Sequence, residues 1–160
     1  MAEDIIEEVF AGVIPFRKRE DEVEYLLVSY KKGYWSFPEG PAEADEKISA
    51  AALRQLEEET SIPAEKVILK LEEKEKIEYT FEKDGNQHRR TVYLYPGEID
   101  PSAEVEISSD LKDYWWLSFD EAVVQMTYPE PRRVLEDFHQ EKHGEARNEP
   151  LIDTSLLDED

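Results

Sequence analysis

Three glutamates stand in a row at Glu57-Glu58-Glu59, with Arg54 four residues before the middle one. Within a helix, adjacent carboxylates repel one another unless a cation or a basic side chain compensates them. Glu58 and Glu59 would project about 100° apart on such a helix, so their oxygens can share one edge and converge on a hard cation. Magnesium takes oxygen ligands, keeps several waters, and is commonly shared between one or two carboxylates and substrate phosphates. Arg54, one turn before Glu58, can orient it by a charge-assisted hydrogen bond. Upstream, Gly40 is followed after five residues by Glu46, and Glu46 after seven by Arg54. An isolated run of glutamates is most often a solvated helix face.

Other chemistry has less support. His139 and His143 lie four apart on a predicted helix, a spacing that can ligate zinc. With Glu and Lys around them, they are expected to be solvated histidines facing the helix dipole. Trp115-Trp116 is expected to pack in the core rather than to serve as a base platform. Cysteine is absent, which excludes disulfides, thiol catalysis and Cys-ligated zinc or iron–sulfur sites. The chain has no Walker P-loop or Rossmann fingerprint, and no nucleophile elbow supports Ser/His/Asp catalysis.

The 160 residues carry 19 Lys+Arg against 40 Asp+Glu, a formal charge of −21 that repels nucleic-acid backbones and anionic membranes. A phosphate ligand would therefore need help from a metal. Apolar residues at 39% and aromatics at 11% are too many for a wholly disordered acidic chain. The length suits one domain with a real core. The longest apolar stretch, Val9 to Phe16, is far short of the roughly 20 residues that span a bilayer. Met1-Ala2-Glu3-Asp4 lacks the basic start of a signal peptide. A soluble, cytoplasmic, monomeric protein is expected, with neither a membrane nor long nucleic acid as partner.

The elements that must position these residues follow from patterning. Glu8 to Phe16 and Val23 to Tyr30 read as strands, joined by a charged turn. Lys31 to Asp45, dense in Gly, Pro and aromatics, reads as a loop. A helix follows from about Glu46 to Thr60, stopped by Pro63. Its periodicity puts Ser49, Ala52, Leu53, Leu56 and Thr60 on one side, and Ala51, Gln55, Glu58 and Glu59 on the other. Val67 to Leu71, Ile77 to Glu82 and Arg90 to Tyr95 read as strands, the last two joined at Asp84-Gly85 by a somewhat long hairpin loop. Pro101 to Asp110 is an acidic loop, and Tyr114 to Leu117 a short strand. Ser118 or Asp120 can cap a helix through about Met126, and Pro131 lies in the first turn of a last helix ending near Gly144. The domain is expected over 1–144, with 145–160 an acidic tail, mobile in solution. The fold class is α+β, a mixed sheet between helices.

The stretch from Gly40 to Ile62 resembles the Nudix box: Gly, five residues, Glu, seven residues, Arg-Glu-apolar-x-Glu-Glu-x-Gly-apolar. Gly40, Glu46, Arg54, Leu56, Glu58, Glu59 and Ile62 match; Gln55 replaces a Glu and Ser61 replaces a Gly. The flanks are similar to one branch, the asymmetric bis(5′-nucleosyl)-tetraphosphatases. There Trp35-Ser36-Phe37-Pro38-Glu39-Gly40 matches a Trp-x-x-Pro-Lys-Gly run, and the start Ala11 to Arg17 also fits. The resemblance covers roughly residues 9 to 140. It implies an α/β/α sandwich, a divalent cation (Mg²⁺, with Mn²⁺ as a substitute), and hydrolysis of a dinucleoside polyphosphate by water attack. It implies Glu58, Glu59, Asp110 and Gly40 as the metal site and Arg54 as a further residue of the catalytic set. It also implies Tyr79 against a purine, Arg90 on phosphates, and Gly40 with Glu39 beside the substrate.

Three departures bear on activity. Glu39 stands where the branch has a phosphate-facing Lys, Pro41 replaces a His, and Gln55 removes an acid that often serves as ligand or base. A nucleotide-binding domain with weak or no turnover is the alternative reading. A second is a pyrophosphohydrolase acting on RNA 5′-ends or dNTPs.

Overall fold

The computed structural model describes residues 4–140. The tail 145–160, His143 and the expected helix end at Gly144 lie outside the described residues.

Among the described residues, eight strands form one mixed sheet. They are β1 (Ile5–Arg19), β2 (Glu22–Tyr30), β3 (Tyr34–Ser36), β4 (Glu39–Pro41), β5 (Val67–Leu69), β6 (Glu75–Lys83), β7 (Asn86–Ile99) and β8 (Leu111–Ser118). Helix α1 (Ile48–Thr60) follows β4, and α2 (Phe119–Gln125) and α3 (Pro129–His139) follow β8. β1 and β7 pair in parallel from Ile5↔Gln87 to Phe16↔Glu98; the other pairings are antiparallel.

Alternation along the strands builds a core on each side of the sheet. Ala11, Val13, Leu26, Tyr95 and Ile99 meet Ala51, Ala52 and Leu56 of α1. Ile14, Phe16, Tyr25, Leu27, Val92 and Leu94 meet Ala122 of α2, Met126 just after it, and Val134, Leu135 and Phe138 of α3. This is the expected α/β/α sandwich. Ser118 caps α2 by a capping box with Glu121, as its position suggested.

Several elements differ from the sequence reading. The 31–45 loop contains β3 and β4, each three residues long and recruited by distant partners rather than by local propensity. β7 runs on to Ile99, because β1 and β5 flank it beyond Tyr95. β5 stops at Leu69, and Leu71–Glu73 turn as a short 3₁₀ helix. The β6–β7 hairpin is tight: Lys83 pairs with Asn86 across Asp84 (φ 54°) and Gly85 (φ 80°). The buried face of α1 includes Ala51 and Gln55, which the helical wheel put on the polar side. β4 packs over that edge of the helix and encloses it.

β1 pairs with β2 only over Phe16–Arg19, then with β4 over Phe10–Gly12. The sheet therefore splits between β1 and β2, and the 37–41 segment lies in the split. Gly12 permits this: a Cβ there would overlap Pro38 O and lie 2.6 Å from Glu39 Cβ.

Candidate active site

Helix α1 is tied to the loop before it by Arg54. Its Nε and Nη2 donate to the two oxygens of Glu46 at 2.7 and 2.9 Å, Nη2 also to Pro41 O at 3.1 Å, and Nη1 to Glu58 at 3.1 Å. These hydrogen bonds from Arg54, with one from the Glu43 amide, hold the Glu46 carboxyl down at about 2. Gln55 Nε2 donates to the same Pro41 carbonyl at 3.0 Å, from a position 6% exposed. A Cβ on Gly40 would collide with the Gln55 amide, so Gly40 leaves the room that the amide occupies.

Tyr30 joins β2 to the site. Its hydroxyl lies 2.9 Å from Phe37 O and 3.0 Å from Glu59 Oε1, and it accepts the Glu39 N–H at 3.1 Å. Burial pushes the Tyr30 phenol well above its usual range, with the Glu59 and Glu39 charges adding to the effect. Burial also pushes Glu59 up to about 8; the Tyr30 hydrogen bond opposes this, while Glu39 and Asp110 reinforce it. Glu39 is pushed up to about 7 by burial, against the pull of Arg90.

Asp110 reaches the site through backbone tethers between its loop and the end of α1. Glu106 N donates to Thr60 O at 2.9 Å, Ser108 N to Glu59 O at 3.0 Å, and the Ser61 hydroxyl to Glu106 O at 2.8 Å. Ser61 closes the helix in the left-handed conformation (φ 67°), where Gly is the usual residue.

Two cavities adjoin. One, of about 570 Å³, gathers Gly40, Arg54, Glu58, Glu59 and Asp110, with Tyr30 and Gln55. The other, of about 630 Å³, is walled by Tyr79, Arg90, Tyr128 and Lys32. Glu39 and Tyr34 belong to both. The eight residues that the resemblance assigns to the metal, catalytic and substrate sites (Glu39, Gly40, Arg54, Glu58, Glu59, Tyr79, Arg90 and Asp110) thus line these two adjoining hollows. Four lining residues carried no signal in the sequence: Tyr30, Tyr34 and Tyr128, in a ladder of rings 4.8 and 5.6 Å apart, and Lys32.

The remaining candidates lie elsewhere. His139 is not a solvated dipole-facing residue: Nδ1 lies 2.8 Å from the Tyr25 hydroxyl and its ring stacks on Phe119 at 4.0 Å. Trp116 is partly buried beneath the Arg17 guanidinium, whereas Trp115 is 44% exposed and packs on Trp35.

Among the described residues no three Asp, Glu or His side chains gather tightly enough to enclose a metal ion alone. The donor set nevertheless suits Mg²⁺ or Mn²⁺, because such an ion keeps waters and shares its shell with phosphates. Glu58, Glu59 and Asp110 offer hard oxygens to one cavity, where burial, and after it the Glu39 and Asp110 charges, raises the Glu59 carboxyl.

Comparisons with known proteins bear on the family and the fold. The chain is 28% identical over 138 residues to the rat asymmetrical bis(5′-nucleosyl)-tetraphosphatase and 30% identical to that of the pig, covering 81% of this chain and 91% of each relative. A Caenorhabditis elegans Ap4A hydrolase, solved as a binary complex, shares the fold with a TM-score of 0.77 at 23% identity, over 86% of this chain and 98% of that one. The family profile of the NUDIX domain matches residues 8–138, and the chain belongs to that family.

Proposed function

We propose that this Nudix hydrolase cleaves the phosphoanhydride chain of a dinucleoside polyphosphate, diadenosine tetraphosphate to ATP and AMP or a close analogue. The observation that carries the reading is the pair of connected cavities, one acidic and one aromatic with a guanidinium. A polyphosphate chain with a base at its end needs both.

In this reading a base lies against Tyr79, between the β6–β7 corner and the Tyr34–Tyr128 pair, since aromatic faces stack on any base. Arg90 and Lys32 meet phosphate oxygens. Glu58, Glu59, Asp110 and the Gly40 backbone would hold a divalent cation, which supplies charge neutralisation on phosphate oxygens and acidifies water when bound. Arg54 fixes the orientation of Glu58, and Tyr30 that of Glu59. Water oxygen bonds to phosphorus as the anhydride P–O bond breaks, and the proton it sheds passes to a carboxylate of the acidic cavity.

Gln55 and Glu39 favour a second reading, a nucleotide-binding domain with slow turnover. Gln55 is committed to Pro41 O, and Glu39 puts a carboxyl where a phosphate would pass. Incubation with diadenosine tetraphosphate and Mg²⁺ or Mn²⁺, with chromatographic separation of products, decides between them. ATP plus AMP, lost in Glu58→Gln and Glu59→Gln, supports the hydrolase. Nucleotide binding without products over hours supports the second reading.

A further inference from the structure

Arg90 is held on three sides by its own fold. Its Nε donates to Glu8 Oε1 at 2.7 Å, and its guanidinium carbon lies 4.0 Å from the Phe10 ring centre and 5.0 Å from that of Phe81. Glu8 is anchored in turn, its second oxygen 2.9 Å from His88 Nδ1. The His88 ring stacks on Phe81 at 5.1 Å and 13°. Strand register explains the cluster: Glu8 lies opposite Arg90 in the parallel pair, and Phe81 and Tyr79 lie opposite His88 and Arg90 in the hairpin. Paired residues point to one face, so all of these side chains share it. Arg90 spends its Nε on Glu8, no hydrogen bond from either terminal nitrogen is seen among the described residues, and the guanidinium, attracted also by Glu39, lines the aromatic cavity.

We propose that Glu8 is a positioning residue: by engaging Nε it fixes the guanidinium so that both terminal nitrogens are presented to a phosphate group of a nucleotide in the aromatic cavity. Phe10 and Phe81 restrict the guanidinium plane, and His88 restricts Glu8. A bidentate Arg–phosphate contact depends on the plane of the fork, so a fixed plane binds without first being ordered. The nucleotide as ligand rests on the hydrolase reading; the role of Glu8 in anion binding does not need turnover.

The sign of one substitution separates positioning from plain charge. Removing an acid beside an anion site strengthens binding if only Coulomb attraction matters. If Glu8 positions Arg90, Glu8→Ala weakens binding despite losing a negative charge. The probe is ADP without divalent cation, measured calorimetrically. Glu8→Ala is expected to raise Kd about tenfold. Glu8→Gln, which can still accept from Arg90 and donate to His88, stays within about threefold of the unmodified chain. Glu8→Asp, which keeps the charge on a shorter stem and is the milder change for folding, falls between them. In an Arg90→Ala background Glu8→Ala has no further effect.

In turnover, KM for diadenosine tetraphosphate rises in Glu8→Ala while kcat stays within about twofold. Unchanged or tighter ADP binding in Glu8→Ala overturns the proposal, as does an equal loss in the Arg90→Ala background, or no ADP binding by the unmodified chain. Hydrolysis with KM unaffected by Glu8→Ala refutes the positioning role and leaves the hydrolase standing. Weakened ADP binding without any hydrolysis does the reverse.

Discussion

Gln55 holds the Pro41 carbonyl from beneath β4, and a carboxylate at that position would set oxygen against oxygen in a buried contact. Restoring the acid with Gln55→Glu is therefore expected to lower stability by about 1–3 kcal/mol in urea unfolding without divalent cation. Unchanged stability would show that the amide is no clamp. The sequence presents Gln55 only as a missing acid, because a helical wheel ranks side chains by polarity and cannot see a carbonyl arriving from another element. Tyr30 and Glu8 are silent for a related reason. Tyr30 meets Glu59 at a separation of 29 residues, and Glu8 meets Arg90 at 82, through pairings that no local pattern encodes. Glu58, Glu59 and Arg54 were legible because their relation is contained within six consecutive residues of one helix.

At the scale of elements, α1 is fastened at both ends, and each fastening is testable. At its start, Glu46 is held near 2 by Arg54, below the ordinary carboxylate value of 4.5. A folded-state pKa depressed in this way contributes stability above about pH 4.5 and loses it as pH falls toward 2. Melting curves should show Glu46→Gln less stable than the unmodified chain at pH 6, with the gap narrowing as pH falls below 4; a gap constant with pH would deny the ion pair that role. At its end, Ser61 accepts a left-handed backbone and ties down the loop that carries Asp110. Ser61→Gly relieves roughly 1 kcal/mol of backbone strain and forfeits a hydrogen bond of similar worth, so its melting temperature should barely move. Amide exchange across residues 106–110 should nonetheless quicken, and exchange as slow as before would refute the tether. Of these elements, α1, the capped α2 and the apolar middle of β1 could be read from pattern. β3 and β4 could not, since three-residue strands exist only where a neighbouring edge recruits them.

For the whole molecule, the charge of −21 and the acidic cavity make different demands on solution conditions. Diffuse surface repulsion is relieved by any salt, since the screening length falls to about 8 Å at physiological ionic strength. Glu58, Glu59 and Asp110 instead share one cavity, where burial and neighbouring carboxylates already push Glu59 up to about 8. A bound divalent ion stabilises only the folded state, by about 2.7 kcal/mol at a hundredfold excess over Kd. That corresponds to a rise of roughly 5–10 °C in melting temperature for a domain of this size. NaCl should therefore raise the melting temperature of the unmodified chain and of Glu59→Gln alike. MgCl₂ at matched ionic strength should add a further increment to the unmodified chain only. Glu59→Gln should start from a higher melting temperature without Mg²⁺, because it removes a carboxyl whose charged form burial disfavours, and gain little from the ion. Equal responses to Mg²⁺ and Na⁺ in both proteins would mean that the acidic cavity is ordinary surface charge, and that the cation assigned to it has no place there.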